Sequence, residues 1–375
     1  MRNVTTTLMA VLLVVSVLAP ATIAGSVAAD TAQPDVDCEH PMELTDATGE
    51  EVSLEEPPER VVALQPSDTQ TVFEIGAEDQ LVGMPINDYT DHHDAGDRTD
   101  IDIPEDERID VETVIDLEPD VVLAANVTVD GDVQQLRDAG LTVYHFETAE
   151  SLDDVRDNVY TTGQLIGECE GAEERVDWMD ERLEVVEEAV DGEDRPLAYW
   201  SLGFGWTAGA ETFQDEVLQT AGVENLGAEA GIVEWQEISD EVIIEEDPEW
   251  IIYGVDEEGE DPGLSEGVMA TTAYENDQLV AVDSNQINQA APHVVYAIED
   301  IVQAVHPEAY EEAVDELEGT DSEEDETDES ETDADDEEAA AVADGDADDS
   351  IPGFAVSTAL VAVLLTSLVL VRSRQ

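Results

Sequence analysis

Asp110-Val111-Glu112-Thr113-Val114-Ile115-Asp116-Leu117-Glu118-Pro119-Asp120-Val121-Val122-Leu123 reads as a short helix, an acidic-Pro stop and a buried β run. Proline lacks the N–H that another helical turn needs, and it pushes the residue before it away from helical backbone. The apolar run after it suits a strand covered on both faces. The same order returns at Val242-Ile243-Ile244-Glu245-Glu246-Asp247-Pro248-Glu249-Trp250-Ile251-Ile252. A matching segment precedes each copy: Ile75-Gly76-Ala77-Glu78 before the first, Ala221-Gly222-Val223-Glu224-Asn225 before the second. A duplicated α/β unit implies two similar lobes with a cleft between them, and ligands of open α/β sheets bind beyond the strand ends.

Working outward, Arg60-Val61-Val62-Ala63-Leu64 is an opening strand that ends at Gln65-Pro66-Ser67. A helix marked by Val72, Phe73 and Ile75 stops at Gly76, and Leu81-Val82-Gly83-Met84 is the next strand. Residues 87–106 are polar and loop-like, and further helices and strands alternate as far as Phe146. From Leu152 to Val190 the apolar spacing is helical, but a single helix would run about 58 Å. Gly163, Gly167 and Gly171 predict a break, which leaves a connecting helix at 171–192. The expected architecture is α/β, with two doubly wound lobes of mainly parallel sheets joined by one long connecting helix. The lobes span 60–170 and 193–315, after a leader at 30–59 that holds a hairpin turning at Thr48-Gly49.

The net charge is −86, and all 11 basic residues are Arg. Such a surface repels nucleic acid, which requires a basic face. Its carboxylates also repel one another, so the chain reads as a halophile's, folding where the Debye length is about 3 Å at 1 M salt. Residues 1–29 carry Arg2, an apolar run from Leu8 to Ala19 and small residues up to Ala29, the pattern of a secretory signal peptide. A retained membrane helix is the alternative. Residues 316–350 are acidic, lack basic and aromatic residues, and are expected to be a disordered linker. In 351–375, Pro352-Gly353-Phe354, an apolar run and terminal arginines resemble the PGF-type C-terminal sorting signal of archaeal surface proteins. A plain transmembrane anchor is the alternative. Either way the globular part is expected at the extracellular face of the membrane. Cys38 and Cys169 are then in an oxidising compartment and are expected to pair, closing a loop of about 130 residues worth roughly 4–5 kcal/mol; two free thiols is the alternative.

The opening strand through Ser67 and the motif at 110–122 resemble the class of ABC-importer binding proteins that carry iron chelates or cobalamin, nearest the cobalamin-binding branch. The resemblance covers about residues 60–312. It implies capture of a cobalamin or other corrinoid between the lobes with a small hinge motion. It also implies delivery to a membrane permease with ATPase subunits, cobalamin being a transported ligand and no cofactor. A glutamate on each lobe would dock on permease arginines, and the matching positions are Glu112 and Glu241. The implied ligand residues are Gln65, Pro66, Ser67, Tyr89, Trp200, Trp206, Trp235, Asn285 and Gln289. Trp235 matches a cleft tryptophan of the cobalamin binders, and Trp200 lies near their cleft aromatic at the start of lobe two. Flat aromatics suit a planar macrocycle. Gln289, before Ala290-Ala291-Pro292, is neutral where bacterial members often carry a basic residue. With no Arg in the lobe-two cleft, a near-neutral corrinoid is favoured over an anionic ferric siderophore.

Other readings remain open. An iron-siderophore or haem binder belongs to the same class, and a surface structural or adhesion protein to another. An enzyme is not expected, because Gly-x-Ser-x-Gly, His-Glu-x-x-His and a phosphate-cradling loop are all absent. Asp91-His92-His93-Asp94 holds metal-ligand types but reads as a solvated loop, so no metal site is expected. His145 and His293 could cap a cobalt but read as packing. Asn126-Val127-Thr128 is a glycosylation acceptor pattern.

Overall fold

The leader folds as a hairpin, β1 (Met42–Thr45) paired antiparallel with β2 (Glu51–Leu54). Asp46 closes its turn by accepting the N–H groups of Thr48 and Glu50 and the Thr48 hydroxyl. Val52 and Leu54 point into the core of lobe one. The computed structural model describes residues 38–103, 108–256 and 263–328, with side chains as far as 317. Residues up to Thr320 form one unit, and those from Asp321 belong to a second.

Lobe one contains β3 (Val61–Ala63), α1 (Pro66–Glu74), β4 (Leu81–Met84), β5 (Thr99–Asp100) and the antiparallel pair β6 (Asp102–Ile103) and β7 (Arg108–Ile109). After these come α2 (Val111–Asp116), β8 (Val121–Ala124), α3 (Asp130–Asp138), β9 (Val143–His145) and α4 (Leu152–Ile166). Five strands make a parallel sheet in the order β5-β4-β3-β8-β9. Side chains alternate across a strand, so both faces of a buried strand must be apolar. Val61, Ala63, Val121 and Leu123 meet Val72 of α1 and Val159 of α4 on one side. Val62, Leu64, Val122 and Ala124 meet Val114 of α2 and Leu136 of α3 on the other.

Gly167 ends α4 in the left-handed conformation at φ +81°, and α5 (Cys169–Val190) begins two residues later. Gly163 allows the close approach of the two helices: a Cβ there would lie 2.5 Å from the Cβ of Ala172. Cys38 is disulfide-bonded to Cys169, which fastens the leader to the start of α5. The 22 residues of α5 extend about 33 Å, enough to link the lobes.

Lobe two runs through β10 (Leu197–Ser201), β11 (Trp206–Ala208), α6 (Phe213–Thr220), β12 (Glu224–Asn225), α7 (Leu226–Glu229), β13 (Trp235–Glu237) and α8 (Asp240–Glu246). It continues with β14 (Trp250–Val255), α9 (Thr272–Glu275), β15 (Leu279–Asp283), α10 (Ser284–Ile287), α11 (Val294–Val305) and α12 (Pro307–Asp328). Four strands are parallel in the order β12-β10-β14-β15, while β11 and β13 form a separate antiparallel ribbon.

The two motif copies share a backbone detail. Glu118 and Asp247, each directly before a proline, have φ of +46° and +44°. A residue before proline is excluded from right-handed helical backbone, and here a left-handed residue ends each helix and turns the chain into its strand. Arg60 donates to the Leu117 and Glu118 carbonyls left open at the end of α2. The carboxylate of Asp247 accepts the N–H and hydroxyl of Thr272, each at 2.7 Å.

Three expectations need comment. The stretch 87–106 includes β5 and β6, where backbone pairing at the sheet edge overrides a polar composition. The segment 316–350 does not begin as a disordered linker, because α12 continues to Asp328; glutamate is a good helix former. The signal peptide, the remainder of the acidic segment and the C-terminal anchor lie outside the described residues. Among the described residues, no helix is long and apolar enough to cross a membrane.

Candidate functional site

The carboxyl ends of β3, β8 and β9 open onto the N-terminus of α1. Gln65 is its N-cap and Pro66 its first residue, where a missing N–H costs nothing. Oδ2 of Asp68 accepts the N–H of Gln65 at 3.1 Å and that of Ala125 at 2.9 Å, tying the turn after β3 to the end of β8. Gln65 Nε2 donates to the hydroxyl of Thr128 at 3.2 Å. Burial pushes the Asp68 carboxyl up to about 7, against the N–H groups of Ala125, Gln65 and Leu64, which favour its charged form.

In front of this turn lies a cavity of about 40 Å³. Ser67 and Asp68 line it from α1, Asn126 and Phe146 from the strand ends, Asn158 and Thr162 from α4, and Ala290 from lobe two. No arginine lines it. Asn126 also donates to the Thr148 hydroxyl at 2.9 Å, and Thr128 is buried. A glycan on Asn126 would therefore block the cavity.

A polar seam joins the lobes beside it. Buried Gln70 of α1 accepts the His293 N–H at 3.0 Å and donates to Gln289 Oε1 at 3.4 Å. Gln289 Nε2 donates to the Tyr89 carbonyl at 3.3 Å, and Asn285 Nδ2 to the Asp88 carbonyl at 3.4 Å. Tyr89, Asn285 and Gln289 thus come together, but the amides of Asn285 and Gln289 stitch lobe to lobe. A ligand reaching those amides must compete with these bonds. The ring of Tyr89 is exposed.

On lobe two, Trp206 pairs with Glu237 and Ala208 with Trp235 across the β11–β13 ribbon. That register puts Trp206 and Trp235 on the same face as a diagonal pair. They are 43% and 45% exposed. Trp235 Nε1 donates to Gln214 Oε1 at 3.2 Å, and Gln214 Nε2 donates to Asn288 Oδ1 at 3.3 Å, two residues before Ala290. These amides fix the orientation of the Trp235 indole.

Trp200 is a correction. It is 0% exposed and packs in the core of lobe two with Ala198, Val217 and Ile298. It stands on an inner strand, on the face covered by α5, α6 and α11, so it has no ring face to offer a guest. The site also contains residues the sequence reading missed. Asn158 and Thr162 carry no signal beyond their place on an amphipathic helix. Phe204, fully exposed at φ +51° between Gly203 and Gly205, does not line the cavity.

The loop at 91–94 is exposed except at His93, which stacks on Phe73 with ring centroids 4.3 Å apart. His92 lies 4.0 Å from His93 and 6.0 Å from His293. Burial, then the proximity of His92 and His293, lowers His93 to about 4; burial and His293 also lower His92. Both are neutral imidazoles at neutral pH. Among the described residues, no group of His, Cys, Asp and Glu is arranged to hold a metal ion. His145 is buried inside lobe one.

Glu112 and Glu241 are each exposed at the second position of equivalent helices, following the N-caps Asp110 and Ser239. There the free N–H groups of the helix favour a carboxylate.

The chain is 36% identical over 311 residues to the cobalamin-binding protein of Halobacterium salinarum, with 80% of this chain and 84% of that protein aligned. It is 22% identical over 252 residues to the vitamin B12-binding protein of Yersinia pestis, covering 65% and 85%. The solved structure of the periplasmic heme-binding protein RhuT from Roseiflexus sp. RS-1 matches with a TM-score of 0.60 at 23% identity, over 67% of this chain and 99% of that one. That likeness concerns the fold. Residues 61–287 match the periplasmic binding protein family, and with two parallel-sheet lobes on a connecting helix the chain belongs to it.

Proposed function

We propose that this protein is the solute-binding component of an ABC importer, working outside the cell, and that it captures cobalamin or a related corrinoid between its lobes. The observation that carries this reading is the pair Trp206 and Trp235, half-exposed on one face of the β11–β13 ribbon. Two indoles held in one orientation offer apolar, flat surface to a planar macrocycle. The relationship to a cobalamin-binding protein over four-fifths of the chain supports the same ligand. So does a cavity without arginine, which has nothing to offset a strongly anionic guest.

Part of the seam between the lobes is side-chain amide hydrogen bonds at 3.3–3.4 Å, weak enough to exchange for ligand contacts, while Glu74 and His293 stay paired at 2.8 Å. The unbroken α5 limits how far the lobes swing. Glu112 and Glu241 then present one carboxylate per lobe to arginines of the permease. In this reading the protein binds without transforming its ligand, and its C-terminal segment tethers it to the membrane.

The test is calorimetric titration in molar NaCl with cyanocobalamin, haem and a ferric hydroxamate siderophore. Binding of cyanocobalamin alone is expected. Binding of haem or the siderophore with none of the corrinoid overturns the ligand assignment.

A further inference from the structure

The cavity before α1 differs in chemistry from the exposed Trp206–Trp235 face. Its polar walls comprise the hydroxyls of Thr71 and Thr162, the amides of Asn126 and Asn158, and the carboxyls of Asp68 and Glu147. Asn158 and Thr162 stand one turn apart on α4 and project to the same side. The Thr71 hydroxyl donates to the Ser67 carbonyl at 2.9 Å, so what it offers a guest is an acceptor. One of the two side-chain N–H groups of Asn126 donates to the Thr148 hydroxyl. Phe146, itself buried, forms an apolar wall.

This lining asks for a particular guest. A cavity of about 40 Å³ accommodates a small polar group. The walls are rich in acceptors, so the guest must donate hydrogen bonds. With no cation in the lining and no hydrogen of its own to donate to these acceptors, a carboxylate is disfavoured. A primary carboxamide is small and uncharged, with two N–H donors and one carbonyl acceptor for Asn158 or Thr162. The rim of a corrin ring carries primary carboxamide arms, whereas a haem rim carries carboxylates.

We propose that this cavity is a subsite for one primary carboxamide arm of the bound corrinoid, so that the protein selects amidated corrin rims over carboxylate ones. The proposal rests on the corrinoid reading above.

The experiment compares dicyanocobinamide, with an amidated rim, and dicyanocobyrinic acid, with a carboxylate rim, by tryptophan fluorescence titration of the intact protein in molar NaCl. At that ionic strength the Debye length is about 3 Å, so the overall negative charge is screened and local contacts decide. The amidated ligand is expected to bind at least about tenfold more tightly. The double variant Asn158→Leu with Thr162→Val should lose about tenfold in affinity for it and little for the acid, while Thr162→Ser should retain wild-type selectivity. Asn126→Leu, on a loop, gives the same readout if the α4 variant does not fold. Equal affinity of the wild type for both ligands, or selectivity unchanged in the folded variants, overturns the subsite and leaves corrinoid binding standing. Failure of the wild type to bind either corrinoid overturns the corrinoid reading and the subsite with it.

Discussion

Glu74 Oε1 lies 2.8 Å from His293 Nε2, and the other oxygen of the same carboxylate lies 2.6 Å from Arg175 Nη2. One side chain at the end of α1 thus holds lobe two and the connecting helix together. The contact continues through aromatic neighbours: Arg175 stacks over Trp178, and Trp178 meets Tyr296 edge-on. The opposite end of α1 lines the cavity. A single helix of nine residues therefore reaches from the ligand site to the hinge.

Glu74→Ala should loosen this junction. The group is only partly exposed, so the loss is about 1–3 kcal/mol, below the value for a fully buried pair. Thermal unfolding in molar salt should show a lower midpoint, and small-angle scattering a larger radius of gyration. An unchanged midpoint and radius would mean that the contact holds nothing.

Asp68 and Glu74 should respond to pH in opposite directions. Burial raises Asp68 to about 7, from 3.8, so its contribution to stability is full below 3.8 and is lost as pH rises through about 7. Burial also acts to raise Glu74, but the His293 hydrogen bond and the charges of His293 and Arg175 outweigh it and lower the carboxyl. Its contribution is full above the ordinary carboxylate range and disappears in acid. The Asp68 contribution should lower wild-type melting midpoints between about pH 4 and 7, and Asp68→Asn should remove that component of the slope. A slope unaltered by Asp68→Asn would locate the titrating group elsewhere.

Breaking the Cys38–Cys169 bond frees the leader from the start of α5. Cys38→Ser with Cys169→Ser should cost about 2–5 kcal/mol, read as a lower melting midpoint, and reductant should reproduce the effect on the wild type. The leader hairpin should also become accessible to protease first. Equal midpoints with and without reductant would refute the stabilising role.

Trp200 and Trp235 should separate cleanly. Trp200→Ala empties a core position and should cost about 3–5 kcal/mol in stability. Trp235→Ala removes a half-exposed ring and its hydrogen bond to Gln214, so stability should fall by about 1 kcal/mol, well short of the Trp200 loss, while corrinoid affinity falls roughly tenfold or more. Titration calorimetry and thermal melts on the same samples distinguish the two. Normal affinity in Trp235→Ala would remove that ring from the site.

The fold could be read from residues 110–123 and 242–252 because its determinants are local. A proline excludes helix before it, a change from helical to strand periodicity needs no distant partner, and a repeated pattern implies a repeated unit. The glycine break before α5 is local in the same way: Gly167 adopts the left-handed backbone that glycine allows without strain. The site was less legible. Ser67 lines the cavity, yet Asn158, Thr162 and Phe146 come from elements whose sequence shows only burial.

What the chain carries in its own order is two helix-stop-strand copies, a stiff link and a strongly acidic surface. What only folding decided is which ring or amide meets which neighbour. Trp200 and Trp235 are both tryptophans in short strands, but a strand apolar on both faces does not announce which side its helices will cover. Gln70 and Gln289 are separated by 219 positions and meet only because two lobes, each formed by local rules, close on one another.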